Sequence, residues 1–285
     1  MIVRLAAGLI GLAVLVPALV FGGSIAVGII VLLAMGVCLY EYSRMAFPAR
    51  WAEALGWLSG ATILPFGAHL LIGAEAAWAV LGLCVITLST RVALRPGPSL
   101  ERAWDDLGRY VFGAVWIGLL VFMPLLRELP GGLAWIFMAL GLAWLSDTGA
   151  YFAGRFLGRT PLHPTLSPKK TVEGYVGGVI AATLGTAWFA YGGVPVWEGS
   201  FADGGFVMQA VEVLHVGDVL AVGVGIGTLG VVGDLAESLV KRATGVKDAG
   251  NILPGHGGLL DRVDSLLFVA PALYGYAMLV KGVSV

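Results

Sequence analysis

The sequence predicts an all-α fold, a polytopic integral membrane helix bundle of about nine transmembrane helices with its N-terminus in the cytoplasm. Two observations carry the fold class. The chain has 285 residues, 58% hydrophobic and 12% charged, against roughly 25% charged in soluble domains. Lipid offers the backbone no hydrogen-bond partners, so only helices or closed barrels cross it. The apolar runs approach ~20 residues without the period-two alternation of barrel strands, which selects helices. The distribution of Lys and Arg then sets the orientation.

In chain order the predicted spans lie near residues 2–21, 24–40, 52–72, 75–92, 109–126, 132–153, 172–191, 214–240 and 260–280. The first has Arg4 before an apolar run ending at Phe21; many spans follow, so it reads as an uncleaved span rather than a signal peptide. Gly22-Gly23 turns the chain into the second. Cys38 and Cys84 sit in apolar runs without a CxxC pair, as buried thiols rather than a disulfide framework. Arg91 to Arg109 is a polar connection, turned by Pro96-Gly97-Pro98 and otherwise amphipathic along a surface. The chain divides into an N-terminal transmembrane part, residues 1–108, and a C-terminal transmembrane part, residues 109–285, which carries the chemistry. With the N-terminus inside, every Lys and Arg except Arg127 and Lys281 falls on the cytoplasmic side, out of 17 in all. The outer loop from Gly192 to Val213 holds Glu198, Asp203 and Glu212 but no Lys or Arg.

Polar residues concentrate where membrane helices should be apolar. The stretch Gly233 to Ser265 contains Asp234, Glu237, Lys241, Arg242, Lys247, Asp248, Asp261, Arg262 and Asp264. A charge near the bilayer centre costs about 2.5–3.5 kcal/mol on insertion scales, so such groups are functional candidates. Asp234 precedes Lys241 by seven residues and lies roughly 10 Å deeper at 1.5 Å rise per residue. Lys241 and Arg242 can snorkel to the headgroups, whereas a short aspartate cannot. Asp261 and Asp264 are three apart and share one helix face. Carboxylates from two helices make a hard-oxygen site suited to Mg²⁺ with phosphates.

A second polar cluster runs from Ser146 to Gly174. It contains Asp147 and the stretch Ser167-Pro168-Lys169-Lys170-Thr171-Val172-Glu173-Gly174, with Glu173 just inside the next span. A hydroxyl there can cap the helix, and a helix N-terminus beside two lysines attracts a phosphate. Leu253 to Gly258, with Pro254, Gly255, His256, Gly257 and Gly258, gives a backbone able to approach a ligand closely. The remaining histidines, His69, His163 and His215, are scattered without zinc spacing. Gly225-Ile226-Gly227-Thr228-Leu229-Gly230 matches a dinucleotide motif but lies inside an apolar helix, where small residues serve packing. No P-loop, hydrolase triad or nucleic-acid-binding feature is present in the sequence.

Ser238-Leu239-Val240-Lys241-Arg242, Lys247-Asp248 and His256-Gly257-Gly258-Leu259-Leu260-Asp261-Arg262-Val263-Asp264 together resemble the signature of the phosphatidate cytidylyltransferases, the CDP-diacylglycerol synthases. Ser167 to Gly174 resembles a second motif of that family, as does Asp147 with Gly154-Arg155 and Gly158-Arg159 after it. The resemblance implies a transferase at the cytoplasmic face of a bacterial membrane, converting CTP and phosphatidic acid to CDP-diacylglycerol and pyrophosphate. It implies Mg²⁺ on Asp234, Asp261 and Asp264, a monovalent cation such as K⁺ beside it, and a homodimer among membrane lipids. Lys169, Lys170, Lys241, Arg242 and Arg262 are then the groups that meet the phosphates, with Ser167, Thr171, Lys247, His256, Gly257 and Gly258 around them. Glu173, Glu237, Ser238 and Asp248 complete the candidate polar site. Two other classes fit intramembrane charges: a transporter, and a CTP-dependent lipid kinase that would release CDP.

The charge partition is testable by site-specific labelling in intact membranes. A cysteine in the Thr160–Thr165 loop should react only from the cytoplasmic side, and one at Gly199 only from outside. Reaction of both from one side overturns the nine-span topology.

Overall fold

The backbone satisfies itself within helices along almost the whole chain, as lipid requires. The structure is a computed structural model that describes residues 2–95, 99–198, 205–209, 211, 214–252 and 257–283. Among these residues the helical segments are α1 (Ile2–Phe21), α2 (Gly23–Ala46), α3 (Trp51–Leu71), α4 (Ala74–Leu94), α5 (Leu100–Glu128), α6 (Gly132–Leu157), α7 (Val172–Ala187), α8 (Val216–Ala243) and α9 (Leu260–Val280). They follow the predicted spans in order, and the protein is an all-α polytopic membrane protein. Among the described residues, 6 helices are long and apolar enough to cross a membrane: α2, α4, α5, α6, α8 and α9. α7 reaches only 16 residues before its backbone widens into a π-turn over Trp188–Gly192.

Two short antiparallel hairpins depart from the helix-only expectation. β1 (Pro161–His163) pairs with β2 (Ser167–Thr171), and β3 (Val194–Glu198) with β4 (Gly205–Gln209). Their segments were expected to be loops. Val194, Val196, Trp197, Phe206 and Val207 are residues that favour strands, and each hairpin satisfies backbone groups by pairing its two strands. The expected Pro96-Gly97-Pro98 turn, and residues 253–256 with His256, lie outside the described residues. α5 runs unbroken through residue 108, where the sequence suggested a division.

Helix starts are set locally. Ser99 Oγ accepts the Arg102 N–H at 3.2 Å to begin α5. Thr171 Oγ1 accepts the Gly174 N–H at 3.1 Å to begin α7, the hydroxyl cap expected from the sequence. Glu173 accepts the Arg159 and Thr160 N–H groups at 3.0 and 3.2 Å, tying the exit of α6 to the entry of α7.

Glycines let α6, α7, α8 and α9 approach closely. A Cβ on Gly223 would lie 2.5 Å from Thr183 Cα, and one on Gly227 2.8 Å from Val179 Cα, so both glycines press α8 against the α7 backbone. A Cβ on Gly233 would lie 2.7 Å from the Asp264 carbonyl oxygen, where α8 meets α9. The Gly225–Gly230 motif lies within one continuous helix, as expected, but of its three glycines only Gly227 makes a close backbone approach. Tyr175 and Thr228 hydroxyls meet at 2.9 Å across the α7–α8 contact. At the far end of the bundle, Asp218 accepts from Lys281 Nζ at 2.7 Å and Tyr276 OH at 2.5 Å, fastening the start of α8 to the end of α9.

The glycine packing separates neighbouring positions. Gly227→Ala should cost about 1–3 kcal/mol through overpacking. Gly225→Ala, with nothing within 4 Å of the new Cβ, should be neutral or stabilising by up to about 1 kcal/mol from helix propensity. Thermal unfolding in detergent measures both, and equal midpoints would contradict this packing.

Candidate active site

α8 displays Asp234, Glu237 and Lys241 at offsets of three and seven, which places them on one face. That face turns toward the entry of α9. α9 is jointed there: Leu260–Val263 forms one turn, and regular helix resumes at Leu266. Asp264 stands at this joint, and its Oδ1 accepts the Ser265 N–H at 2.7 Å. Ser265 Oγ donates to the Gly230 carbonyl at 3.1 Å, holding the joint against α8.

Three carboxylates converge at this contact. Oxygens of Asp234, Glu237 and Asp264 lie within 4.8 Å of one another. At that separation each pair of full charges repels by about 3.5 kcal/mol for an effective dielectric of 20. Glu237 is 1% exposed. Its Oε1 has no hydrogen-bond partner among the described residues, an expensive state for a buried polar atom unless a cation or proton meets it. Hard carboxylate oxygens with an unpartnered acceptor between them fit a divalent cation such as Mg²⁺.

Cations surround the group. Lys170, arriving on β2, pairs with Asp234. Lys241 Nζ donates to Glu237 Oε2 at 2.5 Å and to Asp261 Oδ1 at 2.7 Å. Ser238 Oγ approaches Asp234 Oδ1 at 3.4 Å. Asp147 faces Lys170, Asp234 and Arg262 within electrostatic reach.

The sequence leads us to expect Asp261 beside Asp234; the structure instead sets it against Glu237, outside the group that Asp234, Glu237 and Asp264 form. Its oxygens are taken by Lys241, by the Ala249 N–H at 3.0 Å and by the Gly258 N–H at 2.8 Å. Glu237 is the third carboxylate of the group with Asp234 and Asp264. Spacing explains the exchange: Asp234 and Glu237 are one turn apart on α8, whereas Asp261 is turned toward the loop after α8.

Beside the carboxylates a cleft of about 440 Å³ opens between α6, β2, α7 and α8. Asp147, Arg155, Lys169, Lys170, Thr171 and Asp234 supply its polar lining, while Ala150, Tyr151, Leu162 and Val231 supply an apolar side. Close glycine contacts shape it: a Cβ on Gly154 would lie 3.1 Å from Thr171 Oγ1. Lys169 and Lys170, adjacent in sequence, both reach this space. Ser167 begins the same strand. Arg242, Lys247 and Asp248 are exposed and do not line the cleft; Arg242 donates to the Val246 carbonyl at 3.5 Å. Gly257 has φ +81°, a backbone that glycine adopts without strain, and a Cβ there would meet Asp261 Oδ2 at 2.8 Å.

One buried carboxylate escaped the sequence analysis. Glu41 of α2 is 1% exposed and accepts the Leu259 and Leu260 N–H groups. Its signal was a carboxylate one residue beyond a predicted span, three before the nearest arginine. Ser146, which opens the second polar stretch of the sequence, is buried with an unpartnered Oγ among the described residues.

Comparison with known proteins identifies the family. A phosphatidate cytidylyltransferase of Bacillus subtilis is 41% identical over 174 residues, covering 60% of this chain and 58% of the relative. Those of Staphylococcus epidermidis and Staphylococcus aureus are each 42% identical, over 161 and 159 residues, covering 56% of this chain and 54% of the relative in both cases. The chain thus matches little more than half the length of these relatives. The model of the Cytidylyltransferase family matches residues 2–280, nearly the whole sequence, and this chain belongs to that family.

Proposed function

We propose that this protein is a phosphatidate cytidylyltransferase, forming CDP-diacylglycerol and pyrophosphate from CTP and phosphatidic acid for phospholipid synthesis. The observation that carries the reading is one cleft lined by Lys169, Lys170 and Arg155 on one wall and Asp234 on another, against the three-carboxylate group. Family membership and relatives bearing that name support it. The phosphatidate phosphate attacks the α-phosphorus of CTP, and the bond to the β-phosphate oxygen breaks with pyrophosphate as leaving group. A phosphate monoester with a second pKa near 6 is largely dianionic at pH 7, so no strong general base is needed.

The obstacle is bringing two polyanions together. Lys169 and Lys170 project from one strand into the cleft and neutralise phosphate oxygens, with Arg155 at the same mouth. Lys241 and Arg262 carry further positive charge beside Asp261. Asp234, Glu237 and Asp264 would hold Mg²⁺, which when bound supplies charge neutralisation and alignment for phosphoryl transfer. The apolar side of the cleft, with Tyr151, Leu162 and Val231, takes the beginning of the acyl chains. The reading includes a homodimer, a K⁺ ion near the Mg²⁺, and a site opening to the cytoplasm of a bacterium. A transporter would centre its charges near the midplane, whereas these lie in the C-terminal halves of α6 and α8 and at the start of α9, toward one face.

The first test is the reaction itself: purified protein in detergent with CTP, phosphatidic acid and Mg²⁺, followed for both lipid product and pyrophosphate. Release of CDP in place of pyrophosphate would identify a lipid kinase. Asp234→Asn and Asp264→Asn should each lower turnover by about 10²–10³, the scale of one strong electrostatic contact. Together they should cost far less than the product of the singles, because groups acting as a unit are non-additive. Added Mg²⁺ should partly restore the single variants. Asp261→Asn should lose activity without an Mg²⁺ response, since Asp261 holds Lys241 and the loop; a clear Mg²⁺ rescue would put it on the metal.

The lysine pair gives an independent check. Changing Lys169 and Lys170 together to Gln should leave folding and insertion intact and reduce kcat/KM well beyond twofold. A loss within about twofold, roughly 0.4 kcal/mol, would make the pair mere topological flanks.

A further inference from the structure

We infer that Glu41 is a positioning residue for this reaction, a carboxylate from the second helix that sets the turn on which Asp261 and Asp264 are mounted. The inference rests on the activity proposed above. Glu41 lies 218 residues before Leu259, whose N–H it accepts on Oε1 at 3.0 Å. It accepts the next N–H, from Leu260, on Oε2 at 2.8 Å. The preceding N–H, from Gly258, goes to Asp261 Oδ2 at 2.8 Å. Three successive backbone donors are therefore divided between two carboxylates, and the path of the chain into α9 is fixed by both.

The surroundings are shaped to this one side chain. A Cβ on Gly258 would lie 2.7 Å from both Glu41 oxygens, and one on Gly250 would lie 2.5 Å from Oε1. Glu41 is 1% exposed, so its charge is desolvated and depends on these bonds. Bonds from N–H groups to a carboxylate are about twice as strong as neutral ones. Asp261 is the residue after Leu260, and Asp264 is less than one turn further on. A displacement of this turn moves both carboxylates and the Lys241 that Asp261 holds. Reacting groups misplaced by about 1 Å can lose on the order of 10² in rate. Glu41 itself does not line the substrate cleft, so it acts through the turn.

Glu41→Gln tests this in the full-length protein. The amide keeps the shape but offers an N–H donor to one of two backbone donors. Amide hydrogen exchange at residues 257–260 should accelerate at least tenfold, and kcat with CTP and phosphatidic acid should fall 10- to 100-fold. The Mg²⁺ concentration for half-activation should rise several-fold, while thermal unfolding moves by only a few degrees. Glu41→Asp, one methylene shorter, should fall between Gln and wild type in both exchange and kcat. Gly258→Ala perturbs the same contact from the other side, so its loss and that of Glu41→Gln should combine to less than their product. Unchanged exchange at Leu259 and Leu260 would overturn the inference. So would faster exchange with kcat and Mg²⁺ dependence within twofold of wild type. If wild-type protein itself forms no lipid product, the activity reading fails, and the exchange measurement still tells whether Glu41 sets the turn.

Discussion

An ammonium drawn out of water between two carboxylates holds them together more firmly than either would be held by packing, because each lost partner leaves an uncompensated buried charge. Lys241 does this between Glu237 on its own helix and Asp261 at the entry of α9. Breaking a buried pair of this kind costs about 3–5 kcal/mol. The contact fixes where the charged end of α8 stands relative to α9. The Asp218 contacts to Tyr276 and Lys281 do the same at the other end. Between these two fastenings Asp264 is presented to Asp234 and Glu237, which neither helix could arrange alone.

The helices come this close because of what they lack. Gly223, Gly227 and Gly233 leave α8 without side chains where it crosses α7 and α9. Lipid provides no hydrophobic drive for helices to associate, so close backbone approach and dispersion contacts take that role. The same closeness lets short aspartates from different helices meet. Glycine packing and site geometry are therefore one feature: a bulkier α8 would separate the carboxylates as it separated the helices.

The charge pattern joins fold to chemistry. Asp147, Asp234, Glu237, Asp261 and Asp264 crowd one end of the bundle, answered by Lys170, Lys241 and Arg262. Negative charge is in excess at the helix contact, and the cleft beside it, which Asp147 and Asp234 also line, adds Lys169 and Arg155 to the Lys170 already paired with Asp234. In the activity proposed above, a cation would meet the negative excess and phosphates the basic groups of the cleft.

The sequence alone determined the membrane class, the order of the helices and the two polar stretches, because hydropathy and the cost of intramembrane charge are local properties that survive without coordinates. It also showed the Thr171 cap and the packing role of Gly227, since both depend on a few adjacent residues. It did not show the hairpins at Pro161–Thr171 and Val194–Gln209, whose pairing partners are set by how the flanking helices leave the bundle. Nor could spacing decide which carboxylates meet. Asp261 and Asp264 look equivalent at three residues apart, yet the joint in α9 sends one to Lys241 and the Gly258 N–H and the other to Asp234 and Glu237. Glu41 shows the limit most clearly. Its partners lie more than two hundred residues away, and only the packing of α2 against the entry of α9 makes it part of the site.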